Sequence, residues 1–134
     1  MKTRLPNNWR TRIEFSTIDC GRYRGDEICF SCDFKDGKTP EGFRQNIGYL
    51  IVSPDGFIES AMVAPRMRRR GIGKALYINA LNHFGFIYTK YFEASDAAKR
   101  VWKSLIKEYT SRQVFFAGKL IVYKRKKRVN RKNV

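Results

Sequence analysis

Acidic residues are scarce in this chain. Twelve aspartates and glutamates stand against 28 lysines and arginines, leaving a formal net charge of +16. A field of that sign repels cationic small molecules such as aminoglycosides and attracts polyanions. Histidine occurs once, as His83. The sequence pattern puts it in the last turn of a helix, where it suits the helix dipole and leaves no Ser/His/Asp arrangement to build. Cysteine occurs three times, at Cys20, Cys29 and Cys32, and an odd number argues against a disulfide framework. Cys29 and Cys32 have CxxC spacing, but a strand sends residues three apart to opposite faces, and no second ligand pair exists. No metal is expected. No apolar run reaches the length of a membrane span, and the first residues carry no signal-peptide core. The expected compartment is the cytoplasm, with no membrane partner.

What is present is an ordinary core for one domain. The chain has 134 residues, 43% of them hydrophobic and 14% aromatic, so disorder is expected only at the ends. Apolar alternation predicts strands over Arg12 to Ile18 and Glu27 to Phe34, with a turn at Cys20 to Asp26 and a loop at Asp36 to Arg44. The clearest hairpin joins Ile47 to Val52 and Phe57 to Val63 through Ser53-Pro54-Asp55-Gly56, whose Pro and Gly fit a type I turn. Helical periodicity predicts Gly73 to Phe84, stopping at Gly85, and a second helix from Ser95 or Asp96 through Tyr109. Phe86 to Thr89 reads as a short strand, and Gln113 to Phe116 with Leu120 to Tyr123 as a closing hairpin. Residues 1–123 form the expected domain, and 124–134 a basic tail that is either a phosphate-binding arm or a solubility tail. Trp9, Tyr23, Phe43 and Arg44 are either core or base-stacking residues.

The segment Val63-Ala64-Pro65-Arg66-Met67-Arg68-Arg69-Arg70-Gly71-Ile72-Gly73-Lys74 carries the chemistry. It leaves a strand and opens a helix. Two glycines one residue apart let the backbone turn tightly and approach a ligand. Unsatisfied amides and the positive dipole end then face outward, which suits a phosphate, and the flanking basic side chains reinforce it. A solvated arginine patch around an ordinary tight turn is the plainer alternative.

In these residues, and in the order of strand, loop, helix, strand and helix around them, the chain resembles the GNAT superfamily of N-acetyltransferases. Arg68-Arg69-Arg70-Gly71-Ile72-Gly73 fits that family's Arg/Gln-x-x-Gly-x-Gly/Ala motif, and the likeness covers roughly residues 46–123. The resemblance implies a mixed α/β (α+β) fold, with a mostly antiparallel central sheet and flanking helices, and acetyl-CoA as acyl donor. It implies that amides from Arg69 to Lys74, through Gly71, Ile72 and Gly73, cradle the pyrophosphate, with Arg68 or Arg70 beside it. It further implies that Met62 and Val63 pair with the pantetheine arm, and that the Val63 N–H stabilises the oxyanion. Compact members of this kind are common in bacteriophages.

The pattern departs from the family on the second helix. Ser95 and Trp102 stand where an Asn and a proton-donating Tyr are often found. Trp102 is then core or a wall of the cofactor tunnel. Tyr77, Tyr88 and Tyr109 are substitutes that spacing does not support. Glu59 shares a strand face with Val63 by alternation, as general base or as a solvated carboxylate; Glu93 and Asp96 are weaker candidates. A lysine-like amine with pKa near ~10.4 is neutral about once in 2,500 at pH 7, roughly 4.6 kcal/mol uphill, against about 1.4 kcal/mol for an α-amine. A site without an obvious acid–base pair therefore suits an α-amine or a nucleic-acid-linked amine. The expected reaction is direct attack on acetyl-CoA, with the acceptor on or near a polyanion: aminoacyl-tRNA, modified nucleic acid or a nucleic-acid-binding protein. The alternative is a non-catalytic nucleic-acid-binding protein that keeps the fold. Monomer and homodimer both stay open.

Overall fold

A computed structural model describes residues 9–19, 26–35, 46–114 and 118–127. The expected loop at Asp36 to Arg44, most of the turn at Cys20 to Asp26, and Tyr23 lie outside them. The described strands are β1 (Ile13–Asp19), β2 (Ile28–Phe34), β3 (Asn46–Val52), β4 (Ile58–Val63), β5 (Phe86–Lys90), β6 (Tyr109–Val114) and β7 (Lys119–Lys126). The helices are α1 (Ile72–Phe84) and α2 (Asp96–Glu108), with 3₁₀ turns at Pro65–Met67 and Tyr91–Glu93. The first four strands form an antiparallel sheet in chain order, and the last three form another in the order β5-β7-β6. This is the mixed, largely antiparallel architecture with flanking helices that the resemblance implies, its strands divided between two sheets.

Two differences have local causes. The second helix stops at Glu108, and Tyr109 opens β6 with its side chain buried under the sheet. Burial explains why it keeps helical periodicity without being helical. Strand β7 runs on through Lys126, pairing with Tyr109, so the first three residues assigned to the tail are strand. The Lys127 N–H then bonds the Glu108 carbonyl at 2.8 Å and closes the end of α2.

Apolar faces from both sheets meet α1 and α2. Leu76, Ala80 and Leu81 of α1 pack with Phe30, Leu50, Ile87 and Trp102 in one buried cluster. Each fully buried side chain of Leu or Ile size stabilises the fold by about 1.5–3 kcal/mol. His83 stacks edge-on to Phe30 and Phe84, at centroid distances of 5.7 and 4.8 Å. Cys29 and Cys32 are buried in β2 and are not joined in a disulfide.

The two sheets meet at one point. Phe57, just before β4, and Tyr88 of β5 make an isolated parallel bridge, the only pairing between the two sheets among the described residues. The Tyr88 N–H donates to the Gly56 carbonyl at 3.0 Å. Its hydroxyl donates to Asp55 Oδ2 at 2.5 Å, and its ring lies 5.3 Å from that of Phe57. The anchor comes from the β3–β4 turn, whose predicted geometry appears as Gly56 N–H to Ser53 O at 2.9 Å. Past the bridge β4 leaves β5. Ile51 faces Ser60 and Val52 faces Ile58, so Glu59 is an extra, unpaired residue that bends the strand.

The Asp55–Tyr88 bond holds the Asp55 carboxyl below its ordinary value. Burial, helped by Asp55, pushes the Tyr88 phenol up to about 12. A lowered carboxyl pKa gives stability present at neutral pH and lost as pH falls through the folded value. A raised phenol pKa gives stability lost as pH climbs from about 10 to 12. Tyr88→Phe should therefore lower Tm at neutral pH, by an amount that narrows below about pH 4 and above about pH 10. Thermal unfolding of both proteins from pH 3 to 11 checks this, and a pH-independent difference would contradict it.

Candidate active site

Where β4 and β5 part, a cleft of about 220 Å³ opens. Residues 57–61 form one wall, Thr89, Lys90 and Glu93 another, and Ser95, Ala98, Trp102 and Tyr77 the floor and far side. Pockets that envelop a drug-sized ligand are usually about 300–1,000 Å³. This one takes the tip of a substrate.

The backbone of β4 has a defined phase. The Ala64 N–H donates to the Ile47 carbonyl at 2.7 Å, and Gly48 faces Val63. Bonded pairs alternate along an antiparallel ladder, so the amides of Met62 and Ser60 go to β3. Those of Ala61 and Val63 are turned the other way, toward the side that β5 has left. Such close approach needs Gly48: a Cβ there would lie 2.8 Å from the Met62 carbonyl oxygen.

Beyond Val63 the chain makes the 3₁₀ turn and enters the arginine–glycine loop. Arg69 and Gly71 both have left-handed backbone, at φ 63° and 83°. Left-handed residues in such a turn gather successive N–H groups into an anion-binding concavity. No side chain caps α1, which starts at the buried Ile72 and has no acidic residue in its first turn. Helix α2 is the contrast: Ser95 Oγ accepts the Ala98 N–H at 3.1 Å. A Cβ on Gly73 would make ordinary contacts, 3.6 Å to Val63 and 3.8 Å to Val101, while one on Gly71 would meet open space.

The structure sorts the residues singled out from sequence. Glu59 and Ser95 line the cleft. Val63 lies beyond the residues that line it, with its side chain toward Gly73. Met62 is 47% exposed on β4. Arg68 Nε donates to the Val63 carbonyl at 3.0 Å, which ties the loop to the strand. Lys74 Nζ donates to Glu108 at the far end of α2 and pulls the Glu108 carboxyl below its ordinary value. Arg69 and Arg70 are exposed. Asp96 is in the first turn of α2 and outside the cleft.

Trp102 is completely buried and packs edge-on against Tyr77 at 5.3 Å, so it is core and cleft wall together. Of the three substitute tyrosines, Tyr77 alone lines the cleft; Tyr88 is bound to Asp55 and Tyr109 lies in β6. The sequence offers Tyr77 as a substitute without support from family spacing, yet it stands four residues after Gly73 and so shares a helix face with the loop's last glycine. Burial pushes its phenol up to about 12. Glu59, Lys90 and Glu93 are the charged residues of the cleft, a net negative group on a basic protein. Among the described residues no cluster could hold a metal ion, and no helix is long and apolar enough to cross a membrane.

The strand gap thus leads to a left-handed loop and an uncapped helix start. The sequence pattern of the acetyltransferase (GNAT) family matches residues 4–105, and the chain belongs to this family. Acetyl transfer is thus its class of reaction. Among solved structures, nourseothricin acetyltransferase is similar at 16% identity over 84% of this chain and 82% of that one, with a TM-score of 0.44. No curated protein matches the chain significantly.

Gly48→Ala puts a methyl against the Met62 carbonyl and should lower unfolding free energy by about 1–3 kcal/mol. Urea unfolding measures it; a loss below about 0.3 kcal/mol would show that the β3–β4 ladder has slack.

Proposed function

We propose that the protein is an acetyl-CoA-dependent N-acetyltransferase that brings donor and acceptor amine together in one complex. The observation that carries this is the pair of β4 amides, Ala61 and Val63, turned into the strand gap that ends at the arginine–glycine loop. An extended donor arm bonding to those amides would replace the missing strand partner. Its diphosphate would then lie on the amides from Arg69 through Gly71 and Gly73 to Lys74. The Arg69 side chain is exposed there, whereas those of Arg68 and Lys74 serve Val63 and Glu108.

The reaction is direct attack. The amine nitrogen forms a bond to the acetyl carbon, the Val63 N–H stabilises the oxyanion, and the C–S bond breaks with its electron pair on sulfur. Glu59, at the bulge on the cleft wall, accepts the amine proton directly or through water. Cys29 and Cys32 lie in β2 outside the cleft, and burial pushes the Cys32 thiol up to about 12, which argues against an acetyl-cysteine route. Tyr77 is the phenol available to the leaving sulfur. Full proton transfer from a phenol near 12 to a thiolate near ~8.5 is uphill by roughly 5 kcal/mol. Tyr77 therefore acts as a hydrogen-bond donor. The thiolate leaves unassisted by a strong acid.

The acceptor is an amine carried on or near a polyanion. The cleft admits only a tip, its two carboxylates draw an ammonium group, and the surrounding surface is strongly basic. A protein that keeps the fold and binds nucleic acid without turnover is the competing reading; Tyr77 in the cleft favours the enzyme.

Gly71 separates charge from strain. Asn and Asp tolerate left-handed backbone best among residues with a side chain, and the space beyond Gly71 is open. Calorimetric titration with acetyl-CoA should show Gly71→Asp binding at least tenfold more weakly than Gly71→Asn. Equal affinities would remove the diphosphate from this loop. In thiol-release assays over a panel of amino-acid amides and aminoalkyl oligonucleotides, Tyr77→Phe should lower kcat about tenfold with little change in KM for acetyl-CoA. An unchanged kcat would take Tyr77 out of the reaction.

A further inference from the structure

The outer face of α2 breaks a local rule. Between Asp96 and Glu108 the helix carries Lys99, Arg100, Lys103 and Lys107 and no acidic residue. Lys99, Lys103 and Lys107 are four residues apart and stand in one row, at intervals of about 6 Å. Like charges at this spacing destabilise a helix, and an ordinary surface helix would interleave glutamates. Glu108 does not compensate the row, because it is bound to Lys74. Beyond Lys107 the basic surface continues onto the exposed Arg125, Lys126 and Lys127, since β7 closes against the end of α2.

The other end of the row begins at Lys99, the residue after Ala98 of the cleft lining. Lys99 Nζ lies 5.7 Å from the centre of the Tyr91 ring, and Tyr91 stacks edge-on to Phe92 at 6.1 Å. Phe92 is 79% exposed, the most exposed large hydrophobic residue described. It precedes Glu93, a cleft residue, and has Gly118 behind it: a Cβ there would lie 3.4 Å from the ring. An exposed aromatic ring thus stands one residue from the cleft lining, at the head of a line of cations.

We propose that this face binds single-stranded nucleic acid: phosphates along Lys99, Lys103 and Lys107, a terminal base stacked on Phe92, and the strand's end directed into the cleft. This rests on the acetyltransferase reading and names what carries the amine. Aligned cations and a free aromatic face are the two elements of sequence-tolerant single-strand binding. An anionic membrane fits less well, because Phe92 is the single exposed large apolar side chain beside the row, whereas interfacial helices insert a whole apolar face. A duplex fits less well too, since its paired bases cannot reach a stacking ring.

The test uses the full chain and a fluorescein-labelled 12-nucleotide oligo-uridine, with anisotropy read from 50 to 300 mM salt. In the variant Lys99→Gln/Lys103→Gln/Lys107→Gln, the slope of log K against log salt should fall by about 2, at roughly 0.7 for each phosphate no longer neutralised. Lys103→Gln/Lys107→Gln, which leaves the Tyr91 contact intact, should lower it by about 1.4. Phe92→Ala should weaken binding about tenfold with the slope unchanged. Acetyl-CoA affinity, measured separately, should stay constant in all three. Unchanged oligonucleotide binding in the lysine variants would overturn the proposal and leave the donor site standing. A parallel loss of acetyl-CoA affinity would overturn it by assigning the row to the donor. Equal binding of a 12-base-pair duplex with no effect of Phe92→Ala would refute the single-strand arrangement. Tighter binding to phosphatidylserine vesicles than to the oligonucleotide would overturn it in favour of a membrane.

Discussion

The structure turns on a single parallel bridge, Phe57 to Tyr88. Two antiparallel sheets that could have been continuous share one point of pairing there. The bridge must hold and must not propagate. Asp55, the Tyr88 hydroxyl and two aromatic rings keep it closed on one side. The extra residue Glu59 bends β4 away on the other. Everything chemical follows from that opposition, because amides turned from β3 have no strand opposite them and a wedge of space appears beside them.

Charge makes a second opposition. The body of the protein is strongly basic, yet the cleft sets Glu59 and Glu93 against Lys90 alone. The outside collects anions and the inside prefers a cation. A substrate with both characters, such as the proposed amine on a phosphate chain, would meet each where it is needed. Long-range attraction would speed encounter, while local selection rests on short contacts that salt screens less.

Much of this was legible in the sequence. The β3–β4 hairpin, both helices and the loop between β4 and α1 follow from periodicity, turn chemistry and capping, all of which act within a few residues. What escaped depends on partners distant in the chain. The bulge at Glu59 leaves no mark in the residue pattern, because it is set by register against Ile51 and Val52. The diversion of Lys74 requires knowing that the end of α2 lies beside the start of α1. Tyr109 kept helical spacing because burial, rather than helicity, selected it. The start of the tail is a similar case: the basic residues 124–126 read as solvated chain, yet strand pairing costs them little while their side chains stay exposed.

The strand order of the first sheet also bears on how the chain assembles. β1, β2, β3 and β4 pair only with their neighbours in sequence, whereas β5 skips β6 and pairs with β7 across α2. Local pairings close short loops and avoid the slow search that long-range strands impose. The first sheet can therefore form while later segments are still being synthesised, and its apolar face then waits for α1. The bridge at Tyr88 is among the first contacts to require both halves. Its formation would mark the moment at which two local units become one cooperative domain.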